Sequence, residues 1–368
     1  GVESHPVNQG ERLPARVDGS NAMAVEKKDL DWGSLDFGYR KTDVSYVSNW
    51  KDGAWDEGGL TADHSLNLSE CAGIFHYCQA CFEGLKAYTT EDGRIVCFRP
   101  DLNAQRMYES AERLEMPPFP VDRFVDAVKQ VVAANAAWVP PFGSGATLYV
   151  RPLMIATGDV IGVAPADEYQ FRILVTPVGP YFKGGLKPIK LRISEYDRAA
   201  PHGTGNIKAG LNYAMSLKPT MDAHRAGFAE NLYLDSQSRT YVEETGGANV
   251  LFVTKDGTLV VPQSHTDSIL PSITRRSLVQ VAEDLGITVV QRPVEWAEVK
   301  SGAFVECGLC GTAAVISPVG EIHEDETVVS FPAGHDEIGP VMKKLRETLT
   351  GIQDGAVEDK HNWVFEIC

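Results

Sequence analysis

The sequence predicts a mixed α/β (α+β) protein of two domains. With 368 residues, the chain has the length of about two ordinary domains. Segments in which apolar residues alternate, as in strands, are interspersed with segments in which they recur every three or four residues, as in helices. Residues 179–188, GPYFKGGLKP, are rich in glycine and proline and have no apolar period, so we predict the connection between the domains there.

The first half contains a hairpin, two helices and two long strands. The hairpin is predicted within residues 75–100, where Glu91-Asp92-Gly93 forms the turn. A helix is predicted from Asp101 to about Met116, because it has one apolar face and two prolines follow it. A second helix is predicted over about 121–138, and the segments ATLYVRPLMIATG and FRILVTPVGPYF follow as strands.

The second half alternates short strands with helices. Strands are predicted at about 190–194, 231–235, 249–254, 258–262 and 287–291, and helices at about 211–227, 273–285 and 338–350.

Composition and charge exclude several classes of function. The formal net charge is −16, which argues against nucleic acid as the main partner. No apolar run reaches the ~18 to 20 residues that a membrane-spanning helix needs. The polar N-terminus lacks the apolar core of a secretory signal. We therefore expect a cytoplasmic protein with no membrane partner.

Four of the seven cysteines form two C-x-x-C pairs, Cys78/Cys81 and Cys307/Cys310. A four-thiolate zinc site is one interpretation, but the pairs lie much further apart than the ~15 to 20 residues of a compact zinc ribbon. We expect no metal and prefer a redox role or buried free thiols. Whether the pairs are redox-active stays open at this stage.

Residues 202–217, HGTGNIKAGLNYAMSL, contain one lysine, Lys208, among small and polar residues. Glycines at 203, 205 and 210 remove side-chain bulk and let the backbone approach a ligand closely. One interpretation is a lysine that forms a Schiff base with a carbonyl cofactor. The alternative is an exposed lysine on a surface loop.

Two acidic residues, Glu243 and Glu244, precede the turn Thr245-Gly246-Gly247. A carboxylate in a pocket keeps a pyridine nitrogen protonated, and this makes the ring an electron sink. The alternative is an exposed acidic turn.

Two further segments are suited to anions. A loop enters a helix at Ser272-Ile273-Thr274, where free N–H groups and the helix dipole favour a phosphate. Residues 311–313, Gly-Thr-Ala, form a small-residue turn suited to a phosphate or carboxylate. The alternatives are an ordinary capped helix and a buried turn.

Six motifs together resemble the branched-chain amino-acid aminotransferases, PLP-dependent enzymes of fold type IV (class IV). In order they are FEGLKAY (82–88), FRPDLNAQRM (98–107), LYVRP (148–152), GNIKAGLNY (205–213), ILPSITRRS (269–277) and GTAA (311–314). The resemblance implies a smaller N-terminal α/β domain and a larger C-terminal pseudo-barrel domain. The expected boundaries are a flexible arm at 1–30, the small domain at 31–180, a loop at 181–190 and the PLP-binding domain at 191–368.

The resemblance also implies roles for individual residues toward pyridoxal 5'-phosphate. Lys208 would form the internal aldimine and move the proton between Cα and C4′. Glu244 would hold the pyridine nitrogen, and Tyr213 would bond the phenolic oxygen. The phosphate ligands would be the Arg106 side chain, the backbone at Ile273 and Thr274, and Thr312.

For the substrate, the resemblance places the α-carboxylate against Thr312, Ala313 and Tyr149. The side-chain pocket would be formed by Phe82, Gly84, Tyr181 and Tyr77. Arg151 lies two residues after Tyr149 on one predicted strand, so both side chains can face one site. We predict that its guanidinium pairs with the γ-carboxylate of glutamate, which an apolar pocket alone would reject.

The implied reaction moves the amino group of leucine, isoleucine or valine to 2-oxoglutarate, in a homodimer with shared active sites. Alternatives within the fold are a D-amino-acid aminotransferase and aminodeoxychorismate lyase, and an alternative of another class is a redox-sensing binding protein without a cofactor. Mammalian family members carry a C-x-x-C just after Gly-Thr-Ala, where this chain has Ala314 and Ser317, so that redox switch does not transfer. Gly247 likewise replaces a threonine that some members have near the cofactor. The sequence leaves open which branched-chain substrate is preferred and whether the enzyme serves synthesis or breakdown.

Overall fold

The computed structural model describes residues 25–182 and 184–368, which form two compact units. One unit contains the described residues up to Pro180 together with Ile352–Cys368, and the other contains those of Tyr181–Gly351. Most of the arm predicted at 1–30 lies outside the described residues, and residues 25–30 have no regular secondary structure.

The first unit is built on a nine-stranded sheet among its described residues. The strand order is β18-β6-β5-β7-β8-β1-β2, with β3 paired to β1 and β4 paired to β7. The strands are β1 (Ser45–Lys51), β2 (Ala54–Trp55), β3 (Gly59–Thr61), β4 (Ala80–Phe82), β5 (Leu85–Thr89), β6 (Ile95–Phe98), β7 (Thr147–Ala156), β8 (Tyr169–Val178) and β18 (Val364–Glu366).

The α-helices described beside this sheet are α1 (Gly73–Tyr77), α2 (Pro100–Arg113) and α3 (Val121–Ala134), and short 3-10 helices lie at Trp32–Ser34 and Ala136–Trp138. The apolar face of α3 is buried in the core, where Phe119 stacks on Phe171 of β8 at 3.9 Å between ring centroids. Helix α3 ends before the predicted residue 138 because the buried Asn135 amide accepts hydrogen bonds from the backbone N–H groups of Asp43 and Val44.

The second unit contains a barrel. Six of its strands form a closed ring in the order β11-β10-β9-β16-β15-β12, and β12 pairs back to β11. These strands are β9 (Ile189–Ile193), β10 (Glu230–Leu234), β11 (Val242–Thr245), β12 (Asn249–Thr254), β15 (Phe304–Gly311) and β16 (Val315–Glu324). Every ring strand contributes to one buried apolar cluster, which includes Leu191, Leu232, Val242, Val250, Leu309 and Val319. The predicted pseudo-barrel is therefore confirmed.

The remaining strands extend this sheet, with β13 (Leu259–Pro262) and β14 (Val289–Arg292) beyond β12 and β17 (Thr327–Ser330) on β16. The helices are α4 (Gly210–Arg225), α5 (Ile273–Asp284), α6 (Trp296–Lys300) and α7 (Pro340–Asp354). None of the helices described is long and apolar enough to cross a membrane. Helix α7 extends past Gly351, the last residue of the second unit.

The end of the chain differs from the expected domain assignment. Residues 352–368 were expected with the C-terminal domain, but they belong to the first unit. The physical reason is that β18 pairs antiparallel with β6, with Phe365 opposite Cys97.

Candidate active site

Lys208 lies on the loop between β9 and α4, two residues before the helix begins. Its Nζ donates a hydrogen bond to the Tyr213 hydroxyl at 3.0 Å. The loop is fixed by the buried Asn212 side chain, whose Nδ2 donates to the carbonyl oxygens of Thr204 (2.8 Å) and Ile207 (3.0 Å). The structure therefore rules out the alternative of an exposed loop lysine, since Lys208 is partly buried and has a specific partner.

Glu244 is a buried carboxylate on β11, at the point where β11 pairs with β12 and closes the barrel. It lies opposite Asn249 in the β11–β12 register, and Asn249 Nδ2 donates to its Oε2 at 2.7 Å. The N–H of Leu270 donates to Oε1 at 2.9 Å, and Arg198 Nη1 forms an ion pair with the same oxygen at 2.9 Å. Burial raises the pKa of Glu244, and the charge of Arg198 opposes that rise.

Glu243 is also buried, so the interpretation of this segment as an exposed acidic turn is wrong. Both carboxylate oxygens of Glu243 accept hydrogen bonds from Ser268 Oγ, at 2.8 Å each. Burial raises the pKa of Glu243, and the bond from Ser268 opposes it. Glu243 and Glu244 are adjacent on β11, but their carboxylates accept hydrogen bonds from different partners.

Helix α5 begins as the sequence predicts, with Ser272 as N-cap. The Ser272 hydroxyl accepts from the N–H of Arg275 at 3.0 Å. Within the described part of the chain, the N–H groups of Ile273 and Thr274 have no protein acceptor. Such first-turn donors, at the positive end of a helix of 12 residues, are suited to a phosphate.

The Gly-Thr-Ala segment forms the turn between β15 and β16, where Gly311 pairs with Val315. Thr312, Ala313 and Ala314 are the three turn residues. Val315 closes the turn in the left-handed region, with φ at +63°, which is a rare conformation for a β-branched side chain. Strain of this kind is concentrated at functional sites, and here it fixes the backbone direction of the predicted anion turn.

In the first unit, four of the predicted substrate residues lie together. The Arg151 guanidinium carbon lies 4.7 Å from the ring centroid of Phe82 and 5.1 Å from that of Tyr149. Arg151 Nη2 donates to the Tyr149 hydroxyl at 2.9 Å. Gly84 is required beside them, because a Cβ there would overlap that hydroxyl. In the described chain, Arg151 forms no ion pair, and its buried Nε has no partner.

Arg106 is buried and paired with an acid that the sequence reasoning did not single out. Its Nε lies 2.6 Å from Glu83 Oε1 and its Nη2 lies 2.8 Å from Oε2. Asn103 Nδ2 also donates to Glu83 Oε2, at 3.0 Å. The FEG motif therefore supplies a fully buried partner for the predicted phosphate-binding arginine.

Three aromatic residues are more exposed. The Tyr77 hydroxyl donates to the carbonyl oxygen of Ile161, within the first unit. Tyr181, in the second unit, has its ring against Phe182 at 4.8 Å between centroids. The sequence reasoning missed Phe37, which is 58% exposed and contacts the Tyr149 ring edge-on at 4.9 Å. An aromatic residue exposed beside the Arg151 cluster is suited to contact a substrate.

All seven cysteines are free thiols. Cys307 and Cys310 are both buried on β15, and an odd spacing of three residues on a strand points their side chains to opposite faces. Their Cα atoms are then about 10 Å apart, beyond the 7 Å limit for a disulfide. The described residues contain no group of three or more His, Cys, Asp or Glu side chains that could hold a metal.

Comparison with known proteins identifies the family. The profile of the family described as amino-transferase class IV matches residues 80–322. The chain is 48% identical over 346 residues to a branched-chain-amino-acid aminotransferase of Haemophilus influenzae, covering 92% of this chain and 99% of that protein.

Two solved structures give the same result. The crystal structure of the Escherichia coli branched-chain amino acid aminotransferase aligns with a TM-score of 0.75 and 28% identity, covering 89% of this chain and 100% of that chain. The PLP form of the branched-chain amino acid aminotransferase from Thermobaculum terrenum aligns with a TM-score of 0.75 and 25% identity, with the same coverage.

The chain belongs to the class IV aminotransferase family. Within that family it groups with the PLP-dependent branched-chain-amino-acid aminotransferases, as the six sequence motifs indicated. The residues of the second unit fit this cofactor: an amine at Lys208, a buried acid at Glu244, and helix N–H groups at Ile273 and Thr274 that have no acceptor among the described residues.

Proposed function

We propose that this enzyme transfers the amino group of leucine, isoleucine or valine to 2-oxoglutarate, with PLP bound covalently through Lys208. The observation that carries the proposal is the contact between Lys208 Nζ and the Tyr213 hydroxyl, on a loop that Asn212 holds in place. A lysine fixed beside a phenol is suited to attack a cofactor aldehyde and then to move a proton.

PLP supplies, when bound, a ring that delocalises the electron pair left at the substrate Cα after deprotonation. We assign to Lys208 Nζ the removal and return of the Cα proton. Tyr213 orients that amine and donates toward the phenolic oxygen of the cofactor. Glu244, already held by Asn249 and Leu270, accepts from the ring nitrogen. In the second unit, the N–H groups of Ile273 and Thr274 and the turn at Thr312 bind the phosphate.

Substrate recognition is assigned to both polar and apolar groups. In this proposal, Thr312 and Ala313 of the second unit bind the α-carboxylate. In the first unit, Phe82 and Tyr77 contact the branched side chain, and Gly84 leaves room for the Tyr149 hydroxyl.

Arg151 accounts for the second substrate, because glutamate and 2-oxoglutarate carry a γ-carboxylate. Its guanidinium lies over the rings of Phe82 and Tyr149 and has no acidic partner among the residues described. A two-pronged pair with the γ-carboxylate satisfies the unpaired nitrogen, while a leucine side chain contacts the ring faces instead.

A homodimer with shared active sites and a cytoplasmic location complete the proposal. Two nearly fully exposed apolar residues on the loop after β7, Ile161 and Val163, support a contact with a second copy. Size-exclusion chromatography with light scattering tests the dimer.

The activity is tested with purified protein, added PLP and a panel of amino donors against 2-oxoglutarate. We expect a visible absorbance band of the bound cofactor and turnover with leucine, isoleucine and valine. Lys208→Ala should lower turnover by several orders of magnitude while the fold is retained. Lys218→Ala is the matched control, since that lysine is exposed on α4 and pairs with Asp222. Normal turnover in Lys208→Ala, or turnover only with D-alanine, contradicts the proposal.

A further inference from the structure

Arg198 is a buried arginine that none of the assigned roles uses. It lies on the loop between β9 and Lys208 and is 6% exposed. Its guanidinium contacts three segments of the second unit: Glu244 on β11, the carbonyl oxygen of Ser268 before α5 (2.9 Å), and the carbonyl oxygen of Gly205 (3.3 Å from both Nη1 and Nη2). One side chain thus connects the lysine loop, the acidic strand and the segment that leads into the phosphate-binding helix.

The close contacts depend on the absence of a side chain at Gly205. A Cβ there would overlap the Ser268 carbonyl oxygen and lie 3.0 Å from Arg198 Nη1. The glycine at this position therefore lets the loop approach the guanidinium, three residues before Lys208. Because the same Nη1 reaches Glu244 Oε1 at 2.9 Å, the lysine loop and the carboxylate are held by one group.

The charge of Arg198 is as important as its position. Glu244 is only 2% exposed, and burial in a protein interior favours the neutral acid. Two hydrogen bonds, from Asn249 and Leu270, and one guanidinium oppose this effect. A carboxyl group that accepts a hydrogen bond from a protonated ring nitrogen must itself be ionised, and a guanidinium stays charged at every relevant pH.

We propose that Arg198 is a positioning residue that holds the Glu244 carboxylate and the Lys208 loop in one arrangement at the ring-nitrogen end of the cofactor. This inference rests on the proposed function, because it takes Glu244 as the partner of that nitrogen. Arg198 acts through Glu244 and the loop, so its removal should change the state of the bound cofactor more than the binding of the amino acid.

The experiment is a double-mutant cycle between Arg198→Gln and Glu244→Gln, read by titrating apo-protein with PLP. The visible band of the bound cofactor gives both the affinity for PLP and the pH midpoint of the spectrum. We expect R198Q to weaken PLP binding by at least about tenfold and to shift the pH midpoint. R198K should have a smaller effect, because it keeps the positive charge but loses the planar guanidinium that reaches several acceptors at once. In the E244Q background, R198Q should change the affinity much less than in the wild type, and the remaining effect should come from the lost contacts to the Gly205 and Ser268 carbonyl oxygens.

Arg239→Gln is the matched control. Arg239 also pairs with a carboxylate, Asp197 at 3.5 Å, and donates to a carbonyl oxygen, that of Ser194 at 2.6 Å, but its side chain is 40% exposed. R239Q should leave the spectrum and the affinity unchanged. The ratio kcat/KM of R198Q should fall through kcat, while KM for leucine changes less than about threefold.

The outcomes separate this inference from the proposed function. Equal effects of R198Q in the wild-type and E244Q backgrounds, or an unchanged spectrum in R198Q, overturn the role of Arg198. If R198Q does not fold, the cycle is run with R198K and E244Q, and additivity there overturns the inference equally. A wild-type protein with no cofactor band and no transamination overturns the proposed function itself.

Discussion

Glu83 and Arg106 form a buried ion pair through two parallel hydrogen bonds, from Nε to Oε1 and from Nη2 to Oε2. Glu83 is fully buried, and Asn103 supplies a third donor to it. The arginine expected to bind the phosphate is therefore held rigidly by α2 and by the segment between β4 and β5.

Glu83→Ala should destabilise the protein by about 3–5 kcal/mol, because it leaves the Arg106 charge buried without its partner. Urea unfolding of the apo-protein measures the change in free energy. Asp92→Asn, which breaks the partly exposed pair with Arg94, is the control and should cost less than about 1 kcal/mol. Equal losses in both variants would show that Arg106 finds another partner.

Substitutions of the adjacent residues Glu244 and Glu243 should affect different properties, catalysis for Glu244 and stability for Glu243. Glu244→Ala should lower kcat at least ~10²-fold, because it removes the charge-assisted bond to the ring nitrogen. Glu243→Ala should act mainly on stability, costing about 1–3 kcal/mol, because the Ser268 hydroxyl loses its buried acceptor. Parallel measurements of kcat and unfolding test this ranking, and the reverse ranking would reassign the ring-nitrogen partner to Glu243.

Arg151→Ala should raise KM for 2-oxoglutarate and glutamate much more than KM for leucine. Its guanidinium lies over the rings of Phe82 and Tyr149 and has no acidic partner in the described chain, which leaves it available for a γ-carboxylate. Half-reaction kinetics with each substrate alone measure the difference. Similar losses for leucine and glutamate would assign Arg151 to stability instead.

A cluster on the second unit predicts how stability depends on pH. Glu321 accepts from His323 Nε2 (2.8 Å) and His335 Nε2 (2.9 Å), and these bonds lower the pKa of Glu321 to about 2. His335 Nδ1 also lies 2.8 Å from Asp336, so both ring nitrogens donate, and the bonds to Glu321 and Asp336 raise the pKa of His335.

The directions of these two pKa shifts define the pH range in which both groups stabilise the folded protein. The contribution of Glu321 is complete above its ordinary pKa of about 4.3 and is lost as the pH falls towards 2. The contribution of His335 is complete below its ordinary pKa of about 6.5 and is lost as the pH rises through the raised value. The melting temperature of His335→Gln should therefore differ most from that of the wild type between about pH 4.5 and 6.5, and a constant difference up to pH 9 would contradict the assignment.

The thiols should divide into two groups by reactivity. Burial raises the pKa of Cys97 and Cys310 to about 12, so neither supplies thiolate at neutral pH. Cys78 and Cys368 are exposed. Iodoacetamide followed by mass spectrometry should label Cys78 and Cys368 in the native protein and the buried thiols only after unfolding. A disulfide between Cys307 and Cys310 in native protein would contradict the strand geometry.

Local patterns predicted most of the regular elements of the second half. Helix α5 and strand β12 lie within one residue of their predicted bounds, because caps, apolar period and strand composition are properties of neighbouring residues. The hairpin of β15 and β16 was not predicted as strands, since its small and polar residues lack alternation. Its pairing with β9 and β12 depends on residues far away in the sequence.

The candidate site likewise combines contacts between neighbouring residues, which the sequence predicts, with contacts between distant ones, which it does not. Lys208 and Tyr213 are five residues apart, so their contact follows from one loop and one helix turn. The partners of Arg106 and Glu244 lie on other elements, at Glu83 and Arg198, and no local signal marked them. A buried ion pair joins segments that only the tertiary fold brings together. The burial of Glu243 depends in the same way on a distant residue, Ser268, whose hydroxyl donates to it.

The pairing of β18 with β6 has a consequence for synthesis on the ribosome. Strand β6 emerges before the second unit, whereas the strand that completes its edge emerges after it. At about 5–20 residues per second, translation of Tyr181–Gly351 takes on the order of 10 to 30 s, during which β6 has only β5 as a partner. An open edge of this kind is a template for pairing with another nascent chain. We therefore expect the first unit to complete its folding after translation of β18, and the open edge at β6 to favour aggregation of the newborn protein until then.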